Sequence, residues 1–575
     1  MKQKTNLILL ALGTCFILSG CIPVVEQTGN AVPVQDAVSS SGNQETPPLP
    51  PSKTSDISDK PVRAIIERKI SHDMKAAPVL QGGKIIQKVK TLADFYSGQA
   101  WCPVWFKDGT PLPSATAFLE IIARAGDEGL SPLDYHYNII TNLLCPDEAS
   151  SPLTDEIIAD LDILLTDACQ SYASHLRWGK SGRGKEFAQS ALQSDESPFL
   201  KNIPEGSQLK EIISGFVPVN HEYTRLRQVL IRYRQIETEG GWPVIQGKAL
   251  SKGNKDLRVA SLKKRLHLTG ELEEIIPEHE DLFDTELEAA VRLFQKTQKL
   301  KETGIADTAT LKLLNVSVTE RIHQISMDLE RWRWMPRNLD RYILVDIPDF
   351  SMRVIEDGKE VLRMKTIVGK VKNPTPIFSG RMTIIELNPT WNVPVSIIRK
   401  EIVPLTKKDP SYISRQRIKI YQDWRSNAKE ISPDSIDWEN VNPEKFSYRL
   451  VQDPGGHNSL GRVKFLFPNV HDIYMHDTPT RSLFKRTERA FSHGCVRLEH
   501  PVDLAEHLLK GNNNWDRQQI QKRIRSGQRT TIILRDPIPV YMTYFLVEID
   551  DSGHPYFRKD LYGYNRPLEK EKKRK

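Results

Sequence analysis

The chain has 575 residues, of which 39% are hydrophobic and 27% charged, and its formal net charge is +7. The length predicts three or four domains, and the hydrophobic content is sufficient for folded cores. Part of the positive charge lies in the run EKEKKRK (569–575), which has no interleaved aromatic residues. It indicates a solvated tail rather than a nucleic-acid-binding arm, so we expect no nucleic-acid partner.

The N-terminus has the features of an export signal. A basic start, MKQK, precedes a short apolar run that ends in Leu18-Ser19-Gly20-Cys21. This ending resembles the lipobox of bacterial lipoproteins, which implies a signal peptide over residues 1–20 and lipid on Cys21. An uncleaved signal anchor is the alternative. We expect a periplasmic protein held to a membrane, and Ile22 after the cysteine favours the outer membrane.

Residues 21–80 are expected to form a disordered tether, because much of the segment is rich in Pro, Ser, Thr and Gln, as in PPLPPSK. In the oxidising compartment that export implies, Cys102 and Cys145 have the potential to pair, but the sequence does not decide this. Cys169 lies at helical spacing among apolar residues and is interpreted as a buried structural thiol.

Residues 81–245 are predicted to form a helical scaffold domain without a catalytic constellation. Residues 250–318 follow as a small helical unit, with a capping box expected at Thr285 and Glu288 and an N-cap at Asp307. The string FQKTQKLKETGIADTATLKLLN (294–315) resembles the peptidoglycan-binding module of bacterial cell-wall enzymes, a three-helix domain. A generic helical linker domain is the alternative.

Residues 319–547 are predicted to form a mostly β domain after one amphipathic helix. The period changes to two from Tyr342, and Asp357-Gly358 predicts a hairpin turn. A polar segment at 405–450, with Tyr412 and Trp424, interrupts the strands. We expect an insertion that acts as a lid or partner surface, although a surface excursion without a role is the alternative. Residues 548–575 complete the chain as a C-terminal segment and basic tail.

The densest chemistry lies in FSHGCVRLEHP (491–501). A cysteine nucleophile needs a base and a group that orients the base, and His476, His493 and His500 compete for the role of base. A zinc site that draws on these residues, Cys495 and His471 is an alternative, although the spacing lacks a paired zinc motif. A buried inert cysteine is a third alternative. The residues alone favour a nucleophile.

A resemblance adds to this interpretation. His476, followed by fifteen residues and Ser492-His493-Gly494-Cys495, resembles the signature of the L,D-transpeptidases with a YkuD-type catalytic domain. The segments VGKVKNPTPIFSGRM, NPTWNVPVSI and PGGHNSLGRVKF extend the similarity over about residues 340–547. The chain as a whole is similar to the long periplasmic members. The resemblance implies a multidomain α+β protein with a YkuD-like β-sandwich as its catalytic domain.

The family implies a role for each residue of the motif. Cys495 is expected to be the acylated nucleophile and His476 its base, which the backbone carbonyl of Asp477 orients. Backbone N–H groups around Gly494 are expected to hold the oxyanion, and His493 is expected to be a supporting neighbour.

The substrate-binding candidates are Arg497, Trp391, Tyr474 and Asn388. Shorter members of the family commonly have Asn where this chain has Arg497. Its guanidinium could bind a substrate carboxylate, and a fold-stabilising ion pair is the alternative. Trp391 and Tyr474 are candidates for the pocket wall and equally plausible as core residues.

The implied reaction joins peptidoglycan stems. A tetrapeptide stem loses its terminal D-alanine to form a thioester, which the amine of a second stem converts into a 3→3 crosslink. Hydrolysis of the tetrapeptide, attachment of a protein to peptidoglycan, and wall binding without catalysis are the alternatives. The resemblance implies no metal or organic cofactor, sensitivity to carbapenems, and partners among peptidoglycan stems, the membrane and cell-wall synthesis or regulatory proteins.

Overall fold

The structure is a computed structural model that describes residues 59–71, 79–80, 83–86, 88–144, 153–190, 206–337, 340–512 and 515–565. The expected signal peptide, Cys21, most of the expected tether, Cys145 and the basic tail lie outside these residues. Among the described helices, none has the length and apolar character that crossing a membrane requires. Cys102 forms no disulfide with any described residue.

The N-terminal part is a helical scaffold. Its helices are α1 Lys60–Ile70, α2 Val89–Gly98, α3 Pro113–Ala123, α4 Tyr137–Leu144, α5 Asp155–Trp178, α6 Arg183–Ser190, α7 Gly206–Ser214 and α8 His221–Thr238. Two short hairpins accompany them, β1 Val79–Leu80 with β2 Lys84–Ile85 and β3 Phe106–Lys107 with β4 Thr110–Pro111. Helix α5 is central: Thr154 caps its start, and Cys169 is fully buried within it. Burial raises the pKa of the Cys169 thiol, as suits a structural cysteine.

Helix α1 corrects the expected tether. It lies within the predicted range 21–80, yet Val62, Ile66 and Ile70 are buried in the same core as α5. Lys69 also makes an ion pair of 2.6 Å with Asp160 of α5. The prediction gave weight to the Pro- and Ser-rich composition and overlooked an apolar residue at every fourth position, which places one face of α1 against the scaffold.

The small domain has three helices, α9 Leu257–Thr269, α10 Thr285–Thr297 and α11 Thr308–Leu314, around one apolar core. The expected capping box is wrong: Asp284 is the N-cap of α10, and its carboxylate accepts the Leu287 N–H at 2.8 Å. Asp307 caps α11 through the Thr310 N–H at 2.9 Å. In both helices a carboxylate satisfies an N–H group that the first turn leaves free.

Helix α12 Val318–Trp334 leads into a nine-stranded mixed sheet. Its strands are β5 Arg341–Asp346, β6 Ser351–Glu356, β7 Lys359–Gly369, β8 Phe378–Leu387, β13 Val463–Leu466, β14 Met475–His476, β15 Ala490–Ser492, β16 Val496–Leu498 and β17 Thr530–Thr543. The order is β15-β7-β16-β14-β13-β8-β17-β5-β6, and β6 also pairs with β7. The faces of the expected sandwich therefore belong to one sheet that closes on itself. Helices α16 Pro501–Leu508 and α17 Arg517–Ser526 lie between β16 and β17.

An insertion separates β8 from β13, and it is larger than the predicted 405–450. Its elements are β9 Trp391–Asn392, α13 Val395–Ile397, a π-helical turn at Ile398–Ile402, α14 Val403–Lys408, α15 Tyr412–Arg415, β10 Ile418–Tyr421, β11 Glu430–Ile431 and β12 Arg449–Gln452. Four of these strands form a separate sheet, β11-β10-β12-β9, over an apolar cluster of their own. The name "insertion" refers below to residues 391–452.

The described part of the C-terminal segment, residues 548–565, is folded. Strands β18 Val547–Ile549 and β19 Pro555–Phe557 form a hairpin, so the predicted boundary at 547 divides a strand. The hairpin contacts the small domain, where the Gln298 side chain donates to the Pro555 carbonyl at 2.7 Å.

Candidate active site

Strand register places the motif residues on one wall of a cleft of about 900 Å³. Met475 pairs with Val496 and His476 with Arg497 across the parallel strands β14 and β16. Side chains alternate along a strand, so Met475 and Val496 are buried on one face while Tyr474, His476, Cys495 and Arg497 line the cleft on the other. The structure thus brings together Cys495 and His476, which are 19 positions apart in the sequence.

His476 is buried, and its Nδ1 lies 2.5 Å from the backbone carbonyl of Asp477. This contact places the proton on Nδ1 and leaves Nε2 to accept one. The Asp477 carboxylate accepts the Arg462 N–H at 2.8 Å. The carbonyl is therefore positioned to orient the imidazole, and the carboxylate is engaged in holding the neighbouring chain.

Both partners of the expected catalytic pair are uncharged at neutral pH. Burial and the positive charge of Arg497 lower the pKa of His476 to about 3, although hydrogen bonds to the backbone of Asp477 and Leu460 act in the opposite direction. Burial raises the pKa of Cys495, although hydrogen bonds from Tyr474 and the charges of Lys464 and Arg497 act in the opposite direction. The resting site holds a thiol beside a neutral base.

In the turn before Cys495, the backbone N–H groups differ from the expected oxyanion donors. The N–H of Gly494 donates to the Ser492 hydroxyl at 3.1 Å, so the expectation that it is a free donor is wrong in this state. In the described structure the N–H of Cys495 has no hydrogen-bond partner. Gly494 has a φ of 119°, which other residues adopt only with strain, so a glycine is needed at this position. Its carbonyl accepts from the Thr375 hydroxyl at 2.6 Å.

The C-terminal segment braces this turn through Tyr562. The Tyr562 hydroxyl donates to the Gly369 carbonyl at 2.6 Å and accepts the Thr375 N–H at 3.2 Å. Sequence reasoning missed both Thr375 and Tyr562. Thr375 lies within the quoted segment 368–382, which carried a signal for the region, but no local pattern relates Tyr562 to it.

His493 is hydrogen-bonded to the insertion. Its Nε2 lies 2.5 Å from the carboxylate of Glu401, and the Lys370 ammonium lies 3.1 Å from Glu401 and 3.2 Å from His493. Burial opposes the ionisation of Glu401, but the hydrogen bonds from His493 and Lys370 outweigh it and lower the pKa of that carboxyl. Glu401 belongs to the π-helical turn, an irregularity common at functional sites.

The zinc alternative finds no support in the geometry. His500 is exposed at the start of α16, apart from the cleft. Within the described ranges, no three His, Cys, Asp or Glu side chains converge as ligands.

The four substrate-binding candidates have different positions. Trp391 and Tyr474 line the cleft, as does Arg497, which makes no ion pair with any described residue. The prediction that Asn388 binds substrate is wrong, because Asn388 is fully buried and lies outside the cleft lining. Its amide donates to the backbone carbonyls of Arg523 and Gln528 at 2.9 and 3.2 Å, so it ties β8 to the end of α17.

Three family models match the chain. Residues 340–523 match the L,D-transpeptidase catalytic domain (YkuD), residues 90–230 the scaffold domain, and residues 255–314 the "Putative peptidoglycan binding domain". The cleft and all motif residues lie within the first match.

A curated relative is the "Putative L,D-transpeptidase" of Haemophilus influenzae, 34% identical over 245 residues. The alignment covers 43% of this chain and 48% of the relative, so the chain spans about half of that protein's length. Solved structures include an L,D-transpeptidase from Mycobacterium smegmatis at 14% identity, which covers 36% of this chain and 58% of the other with a TM-score of 0.17. One from Stackebrandtia nassauensis has 13% identity, coverages of 52% and 96%, and a TM-score of 0.18.

Proposed function

Because residues 340–523 match the L,D-transpeptidase catalytic domain, we propose that the chain belongs to this family and forms 3→3 crosslinks between peptidoglycan stems. The donor is a tetrapeptide stem, which loses D-alanine as it acylates Cys495. One observation carries the proposal: Cys495 and His476 project from neighbouring strands into one cleft, with the imidazole oriented by the Asp477 carbonyl.

In the first half-reaction, Cys495 gives its proton to His476 Nε2 as the sulfur attacks the carbonyl at the L-centre of diaminopimelate. The oxyanion accepts a hydrogen bond from the Cys495 N–H, which has no other partner among the described residues. The C–N bond to D-alanine then breaks, and the leaving amine takes the proton from His476. A thioester remains, so the acyl group stays activated without a nucleotide.

In the second half-reaction, the side-chain amine of another stem attacks the thioester and gives a proton to His476. The C–S bond breaks, and the sulfur recovers that proton. Water or a protein lysine in place of the amine would yield the carboxypeptidase or the protein-linking reaction. The chain's own groups supply all proton transfers, and an acylating carbapenem would occupy the same sulfur.

We place the reaction in the periplasm, where the match at 255–314 supports retention on peptidoglycan and lipid on Cys21 would hold the chain to a membrane.

Product analysis tests the proposal. The full chain is incubated with disaccharide-tetrapeptide and an isotope-labelled acceptor stem, and products are identified by mass spectrometry. We expect labelled 3→3 dimers and free D-alanine with the native chain and neither with Cys495→Ala. Tripeptide alone would indicate hydrolysis, and identical products from both proteins would refute the assignment of the nucleophile.

A further inference from the structure

Two cations flank the base in the cleft. Lys464 pairs with His476 across β13 and β14, and His476 pairs with Arg497 across β14 and β16. Paired residues share a face of the sheet, so the three side chains form one row that lines the cleft. Lys464 and Arg497 are called the cation pair below. Sequence analysis did not single out Lys464, because a lysine within a strand is usually a solvated side chain.

Lys464 has no counter-ion among the described residues. Its neighbour in the row is Glu386, but that carboxylate is ion-paired with Arg529 at 2.6 Å. Within the described structure, the Lys464 ammonium makes no ion pair or hydrogen bond, and it lies 4.1 Å from the centre of the Tyr474 ring. Burial lowers its pKa, with partial compensation from Glu386.

Arg497 is in the same condition. Its Nε is buried without a hydrogen-bond partner among the described residues, and burial lowers its pKa. The alternative role for Arg497, a fold-stabilising ion pair, therefore has no partner in the described structure. Lys464 and Arg497 are both half-buried. Charges removed from water are normally paired, so two cations without a partner among the described residues, beside one cleft, indicate that an anion completes the site.

The Cys495 thiolate does not account for both charges. Both cations favour the thiolate, but it carries one negative charge and disappears when the sulfur attacks. A bound carboxylate would persist through acylation. We infer that the cation pair binds a carboxylate of the donor stem beside the scissile bond, which makes Lys464 a specificity-determining residue.

This inference rests on the proposed function. The two residues joined by the scissile bond offer two carboxylates: the C-terminus of the leaving D-alanine and the carboxylate at the D-centre of diaminopimelate. Both present the same chemistry to an ammonium and a guanidinium.

Substrate analogues and variants test the inference in the full chain. Lys464→Met and Arg497→Met are compared with the native chain on three tetrapeptides: unmodified, amidated at the C-terminus, and amidated at the D-centre. Lys419→Met is the matched control, because this strand lysine of the insertion is ion-paired with Asp453 at 2.6 Å and lies outside the cleft lining. D-Alanine release gives kcat/KM for each combination of protein and tetrapeptide.

For Lys464→Met, we expect kcat/KM on the unmodified stem to fall about 10- to 100-fold, mostly through KM, since one charge-assisted hydrogen bond is lost. For the native chain, kcat/KM on one of the two amidated stems should be lower than on the unmodified stem by a similar factor. With that amidated stem, Lys464→Met should have a kcat/KM only slightly lower than the native chain has, because the amide and the substitution remove the same contact. The amide that shows this non-additivity identifies the carboxylate.

The inference would be overturned if, for both amidated stems, the loss of kcat/KM caused by the amide multiplied with the loss caused by Lys464→Met. An unchanged preference for the free carboxylates combined with a shift in the pH dependence of Cys495 alkylation would also overturn it, since Lys464 would then act on the thiol. Calorimetric binding of the same stems to Cys495→Ala, with and without Lys464→Met, requires no turnover. If the native chain releases no D-alanine, the proposed function fails, and this binding comparison still decides whether the cation pair binds a carboxylate.

Discussion

At the scale of single residues, the proposed nucleophile and its proposed base are both uncharged at neutral pH. The pKa of His476 lies at about 3 because of burial and Arg497, while burial raises the pKa of Cys495. In the proposed mechanism, proton transfer therefore accompanies attack, when the substrate's polarised carbonyl stabilises the charge that the sulfur delivers.

This environment predicts an unusual pH profile. A base is active above its pKa, so His476 should remain competent well below neutral pH. We expect kcat/KM for D-alanine release to change by less than about threefold between pH 7 and pH 5, whereas a base with a pKa of 6.5 would lose about 20-fold. A decline centred near pH 6.5, with the protein still folded, would show that the imidazole titrates as it does in water.

Residue positions were predictable where they depend on local sequence. The motif pointed to Cys495, its distance from His476 was compatible with neighbouring strands, and the structure places both in one cleft. The role of Asn388 was predicted wrongly, because the carbonyls that bind it belong to Arg523 and Gln528, more than a hundred positions away. The Gly494 N–H was misassigned because the rotamer of Ser492 decides whether that donor is free.

At the scale of elements, the insertion makes a direct side-chain contact with the turn before Cys495. Glu401 on its π-helical turn contacts His493, which is two residues before Cys495 in the chain. The insertion is thus positioned to hold the turn that carries the proposed nucleophile.

Removal of this contact should impair catalysis without unfolding the chain. We expect Glu401→Ala to lower kcat/KM about 10-fold, in line with the loss of one charged hydrogen bond, and Glu401→Gln, which can still accept from His493, to recover most of it. Glu444→Ala is the matched control, because Glu444 is also in the insertion and binds Arg399 at 3.1 Å on the surface. Equal effects of Glu401→Ala and Glu444→Ala would show that the contact does not position the turn.

The extent of the insertion could be predicted only in part. Its polar centre was visible in the sequence, but its edge strand β9 has two residues and becomes a strand only by pairing with β12. Helix α1 was missed for a different reason: its apolar spacing was readable, and the composition of the preceding segment outweighed it.

At the scale of the whole molecule, α12 joins the scaffold to the catalytic domain. Arg333 donates to the Tyr223 hydroxyl of the scaffold at 2.9 Å. Asp328 is fully buried and accepts the N–H groups of Leu546 and Val547, at 2.6 Å each, where the C-terminal segment leaves β17. This bridge was not predicted from the sequence, because it requires a charged residue on the buried face of a helix.

Asp328→Ala should therefore destabilise the protein by about 3–5 kcal/mol, since it leaves Arg331 and two backbone N–H groups buried without their acceptor. We expect the thermal midpoint to fall by about 5–10 °C. Glu320→Ala, in the exposed first turn of α12, is the control and should cost less than about 1 kcal/mol. Equal midpoints for the two variants would show that the bridge contributes little.

The acyl-enzyme itself tests the central claim most directly. The full chain is mixed with tetrapeptide stem in the absence of an acceptor, quenched in acid, and its intact mass is measured. We predict an adduct equal to the donor less D-alanine, removed by hydroxylamine, mapped to Cys495 and absent from Cys495→Ala. Release of D-alanine by the native chain without any adduct, or the same adduct on Cys495→Ala, would contradict a thioester on Cys495.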